Sequence, residues 1–141
     1  MFIDSVNCIN IYSNGKTYLG RALSNFARIP IHGNGHVFAS VEAWWYWFTT
    51  GKKHHHLKKL FGYEAKKEGR KFERVYEVTR EMFKRIAMDK VNQNPWLINE
   101  LINSSLPFVH YYEYNGKVVF PEHDITVGVW EEIRKELKGA T

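Results

Sequence analysis

The residue that stands out chemically is Glu42, an acid inside Val41-Glu-Ala-Trp-Trp-Tyr-Trp-Phe48, where every other residue is apolar or aromatic. Ser40 is placed to cap a helix starting there, and a helix apolar on all sides is normally buried, so the carboxylate has no solvent face of its own. In an aromatic-lined pocket, loss of water raises a carboxyl pKa and fixed neighbours orient the group, which makes an acid, a base or a charge stabiliser. The plainer alternative is a first-turn acid favoured by the helix dipole and reaching water at the domain edge. Trp45 and Tyr46 follow Glu42 at three and four residues, on its side of a helix, where either could stack on a planar base. The rest of the Trp run belongs to the core.

A second group is cationic. In Ala65-Lys-Lys-Glu-Gly-Arg70, Lys66 and Arg70 stand four residues apart and share a helix face, a two-pronged surface suited to a diphosphate. A solvated face with a Lys67/Glu64 pair is the alternative. Asn25, in Leu23-Ser-Asn-Phe26, is a small polar group beside a core candidate, and reads equally well as an ordinary Asx turn. No metal is expected. His54, His55 and His56 are consecutive and so cannot share a helix face, no acid or Cys lies at ligand spacing, and the trio reads as a solvated basic patch. Glu122-His123-Asp124 comes nearest to a ligand set, against which stands helix capping by Asp124. Cys8 has no companion, and no phosphate-cradling glycine loop occurs, so no cofactor is implied.

Elements of mixed type must position these groups. Asn10–Ser13 reads as a first strand, and Ile29–Ser40 as a hairpin turning at Gly33-Asn34-Gly35. Ser40 opens a helix to about Thr50, stopped by Gly51. A basic helix over His54–Phe61 and another over Glu64–Lys71 follow. The spacing of Phe72, Val75, Tyr76, Met82, Phe83, Ile86 and Ala87 predicts one long packed helix over Phe72–Val91. Asn94-Pro95 starts a helix through Ser104. Phe108–Tyr114 and Lys117–Phe120 flank Asn115-Gly116, the favoured two-residue hairpin turn, and the last helix runs from Ile125 to Lys138. The fold class is α+β, a mainly helical single domain over residues 1–141 with short hairpin-linked strands.

Composition bounds the rest. With 141 residues, 44% of them hydrophobic and 16% aromatic, the chain can bury a core without disulfides, and extended disorder is excluded. A single Cys points to a reducing, cytoplasmic setting, which for a viral chain means the host cytoplasm. No apolar run approaches a membrane span. Twenty Lys and Arg against fifteen Asp and Glu give +5, an excess that suits a phosphate-bearing partner and equally suits solvated helix faces.

Taken in order, Ile9-Asn-Ile-Tyr-Ser13, Leu23-Ser-Asn-Phe26, Ser40-Val-Glu-Ala-Trp-Trp45 and Ala65-Lys-Lys-Glu-Gly-Arg70, followed by a Met-containing helix, resemble the NADAR/YbiA-like family, from about Ile9 to about Leu106. The resemblance implies an α+β domain that hydrolyses N-glycosidic bonds, with a substrate that is an ADP-ribosylated nucleobase such as ADP-ribosyl-guanine, or a related ADP-ribose conjugate. The alternatives are a riboflavin-pathway intermediate as substrate, or a non-catalytic module that binds ADP-ribose or nucleic acid. It places Asn25, Glu42, Lys66 and Arg70 in the family's pocket, with Glu42 and Lys66 catalytic and Asn25 and Arg70 on the substrate, to which the spacing after Glu42 adds Trp45 or Tyr46 as the ring that stacks on the base. ADP-ribosylated DNA or RNA is the macromolecular partner it admits, and no membrane is involved. Two positions depart from the family pattern. Thr49 stands where the family usually places a Lys, and Pro121-Glu-His-Asp124 stands in place of a glycine-rich loop, so either His123 and Asp124 substitute for it, with Asp124 on the substrate, or that subsite is missing.

Overall fold

The computed structural model describes residues 1–140. Along the chain come β1 (Ile9–Asn10), α1 (Tyr18–Leu23), β2 (Ile31–Gly33), β3 (His36–Phe38) and α2 (Val41–Thr49). A 3₁₀ turn (His55–Lys59) leads to α3 (Gly62–Gly69), α4 (Arg80–Asn92) and α5 (Pro95–Ile102). Then follow β4 (Phe108–Val109), β5 (Tyr112–Tyr114), β6 (Lys117–Val119) and α6 (Thr126–Gly139). Helices joined to short strands make the architecture α+β. Among the described residues, no helix is long and apolar enough to cross a membrane.

The chain forms two compact units, residues 25–93 and residues 1–24 with 94–141. In the second, β1 pairs in parallel with β4, Ile9 opposite Phe108. The first strand is therefore Ile9–Asn10 rather than Asn10–Ser13, because its partner lies far along the chain and leaves no local signal. Asn10 extends the ladder with its side chain: Nδ2 donates to the Tyr111 carbonyl at 2.9 Å and Oδ1 accepts from Tyr111 N at 3.0 Å. Phe108 and Val109 thus leave the hairpin expected of them, which shortens to β5 and β6 around Asn115 and Gly116, both at positive φ (51° and 75°) as this turn requires. On α6, Val129, Trp130 and Ile133 are buried, and Arg134 lies 3.9 Å from the Phe108 ring centroid while donating to Leu106 O and Glu131.

The core of residues 25–93 is built on α2. Ser40 Oγ accepts from Ala43 N at 3.0 Å, a cap that contributes about 1 kcal/mol. Ala43 and Trp47, one turn apart, then bury against Phe38 and Leu57. Trp44, Trp45, Tyr46 and Phe48 are only half-buried, so this helix is not enclosed on all sides as its composition suggests. The long helix expected over Phe72–Val91 is also shorter. It begins at Arg80, where Thr79 Oγ1 caps Met82 N, and the preceding Val75 and Tyr76 give their N–H groups to the Thr49 carbonyl at 2.8 and 3.1 Å. Phe72, freed from any helix, stacks on His54 at a centroid distance of 3.6 Å. The His trio is accordingly more than a solvated patch. Burial, with Lys53 and His56 close by, lowers the His54 pKa.

Candidate active site

Four residues of the 25–93 unit, Glu42, Gly69, Arg70 and Arg74, gather at Tyr46. Glu42 occupies the first turn of α2, and its N–H donates to the Asn25 carbonyl at 2.9 Å, which ties the Asn25 loop to the start of the helix. Tyr46 follows one turn later. Burial pushes the Tyr46 phenol above its ordinary pKa and the Glu42 carboxylate adds to the rise, while Arg70, hydrogen-bonded to the phenol, and Arg74 pull against it. An acid and two guanidinium groups are thus within electrostatic reach of one hydroxyl. Asn25 Oδ1 is buried with no hydrogen-bond partner among the described residues. A buried acceptor left unmatched costs about 1–3 kcal/mol, and a ligand hydroxyl or N–H would recover it.

The approach of α3 is what delivers Arg70. Gly69, the last residue of that helix, is buried against Tyr46, and a β-carbon there would run into the ring. Any other residue would push α3 away from α2. Arg70 follows with helical dihedrals (φ −67°, ψ −12°), its N–H bonded to the Lys66 carbonyl at 3.0 Å, so the pair keeps its four-residue register. Lys66 is half-buried and Arg70 exposed, as a phosphate-holding pair requires. Glu68 pairs with Lys71 at 2.8 Å.

Trp45 and Asp124 make other contacts. Trp45 turns toward α4, edge-on to Phe83 at 6.2 Å, and edge-on to Trp44 at 6.3 Å. Asp124 belongs to the other unit, where Oδ2 meets His110 Nδ1 at 2.5 Å and Oδ1 accepts from Thr126 N at 3.0 Å. Burial alone would raise the Asp124 pKa, but the hydrogen bonds from His110 and Thr126 outweigh it and hold the carboxyl below its ordinary value. One oxygen serves the start of α6 and the other the His110 imidazole.

Sequence reasoning missed Gly69, Arg74 and His110. Gly69 carried a signal, a glycine inside a helical pattern, which marks close backbone approach. Arg74 was hidden by the expectation of one continuous helix. His110 had none, since its partner is fourteen residues away across a hairpin.

No family model matches the chain, and no curated protein sequence matches it. Among solved structures, it is similar to the NMR structure of the Escherichia coli protein YbiA, with a TM-score of 0.63 over 98% of this chain and 86% of that one, at 16% identity. The chain has a YbiA-like α+β fold.

Proposed function

We propose that the chain is an N-glycosidase of the NADAR type, cleaving the ribosyl C1′–N bond of an ADP-ribosylated nucleobase or a related ADP-ribose conjugate. The observation that carries this reading is the convergence of Glu42, Arg70 and Arg74 on Tyr46, with the Asn25 loop tied by its backbone to the start of the same helix, on a YbiA-like fold. The C1′–N electron pair leaves with the base, and positive charge develops on the ribose. Glu42 stabilises that charge and takes a proton from the water that adds to C1′, while the departing nitrogen gains a proton. Arg70, Arg74 and Lys66 hold the phosphates, Arg70 oriented by the Tyr46 phenol. Asn25 Oδ1 accepts a ribose hydroxyl.

Thr49 bears on the covalent alternative. It is fully buried, its hydroxyl has no partner, and its carbonyl anchors Val75 and Tyr76, so it supplies no amine and no reachable nucleophile. In this reading water attacks directly. The same observation favours, as a second reading, a module that binds ADP-ribose without turning it over. Incubation with an oligonucleotide carrying ADP-ribosyl-guanine separates them: release of free ADP-ribose is expected, and binding without release establishes the second reading.

A further inference from the structure

Residues 25–93 carry a row of aromatic rings that the site above does not use. Trp44 and Phe48, one turn apart on α2, lie nearly parallel, 13° between planes and 5.7 Å between centroids. Tyr76 continues the row 5.5 Å from Phe48 at 33°. The inner rings are half-buried against the core, and the outer end is open, with Tyr76 49% and its neighbour Val75 55% exposed. Lys52 Nζ stands 5.3 Å from the Phe48 centroid and 5.8 Å from that of Tyr76.

Backbone bonds hold this arrangement in place. The Thr49 carbonyl fixes Val75 and Tyr76, and Lys52, whose N–H bonds to the Trp47 carbonyl at 2.9 Å, sits at φ 62°. A lysine rarely adopts that left-handed conformation, which costs roughly 1 kcal/mol or more. Charge accompanies the rings at Lys52, which stands over two of them, and at its neighbour Lys53. Protein-binding patches are depleted in Lys, whereas aromatic faces interleaved with cations are what unpaired bases and their phosphates recognise.

We propose that the Trp44–Phe48–Tyr76 row with Lys52 and Lys53 is a docking platform for single-stranded nucleic acid. An unpaired base stacks on the exposed face of Tyr76, and Lys52 and Lys53 meet the adjoining phosphates. A duplex keeps its base faces covered and offers only its charge. This surface stands independently of the glycosidase reading, because it requires no ADP-ribose.

The test is fluorescence anisotropy of the full chain with a labelled oligothymidine of about 20 nucleotides, and with the same strand paired to oligoadenosine, between roughly 50 and 200 mM salt. The single strand is expected to bind at least about 10-fold more tightly than the duplex. Tyr76→Ala should weaken it about 10-fold and Tyr76→Phe should leave it unchanged, since only the ring is used. Lys52→Ala should lower the salt slope by about 1. Equal affinity for duplex and single strand, no binding of either, or a Tyr76→Ala protein that binds like the parent would each overturn the proposal. Hydrolytic activity does not enter any of these readouts.

Discussion

Around Tyr46 the 25–93 unit gathers an acid and two guanidinium groups, and it holds a buried Asn25 amide oxygen with no partner among the described residues, whereas around His110 the other unit spends its carboxylate completely. Asp124 gives one oxygen to an imidazole and the other to a helix N-terminus, which is how a carboxylate stabilises a fold. Asn25 Oδ1 lies buried without return. An unmatched acceptor in a loop that meets the start of a helix is one a ligand can complete, whereas a fully matched carboxylate serves the fold. The difference separates the Asn25 amide from the Asp124 carboxylate.

The largest effect belongs to Glu42. Glu42→Gln keeps the shape, and turnover of an ADP-ribosyl-guanine oligonucleotide should fall at least ~10²-fold while ADP-ribose still binds. A folded Gln variant with parental turnover would place the acid on the architectural side of the comparison, beside Asp124.

Next comes Arg70. Lysine there retains the charge and loses both the planar fork and the bond to Tyr46, so affinity for ADP-ribose, read by calorimetry, should drop roughly 10-fold. An unchanged affinity in both Arg70→Lys and Arg70→Ala would return the pair Lys66 and Arg70 to a solvated helix face, and would leave the Tyr46 cluster without a phosphate site.

Why one region was legible and the other was not follows from how far each signal reaches along the chain. Ser40, Glu42 and Tyr46 sit within two helical turns, where capping and i, i+4 spacing are local rules, and Lys66 with Arg70 obeys the same spacing on α3. The strand partner of Ile9 is Phe108, and Asn10 completes its bonds with Tyr111; no window of sequence contains both ends. The segment after Phe72 misled for a different reason. Phe72, Val75 and Tyr76 have helical spacing, but the Thr49 carbonyl and the Thr79 cap pull that stretch out of the helix, and tertiary bonds override periodicity. Arg74 lies in that non-helical stretch.

The smallest effect is expected at Asp124, and it is one of stability alone. The folded carboxyl has a lowered pKa, so the folded state binds fewer protons than the unfolded chain near the ordinary aspartate value of about 3.9. Its contribution is therefore complete above that value and is lost as pH falls through it toward the folded pKa. Asp124→Asn keeps an oxygen for Thr126 N but removes the charge facing His110. Urea unfolding at neutral pH should show a loss of about 1 kcal/mol, and the difference from the parent should shrink as the acid limb is approached below about pH 5. Turnover at neutral pH should match the parent. A variant of normal stability whose turnover collapses would show that Asp124 contacts substrate after all, and the contrast between a spent and an unspent site would fail at its clearer end.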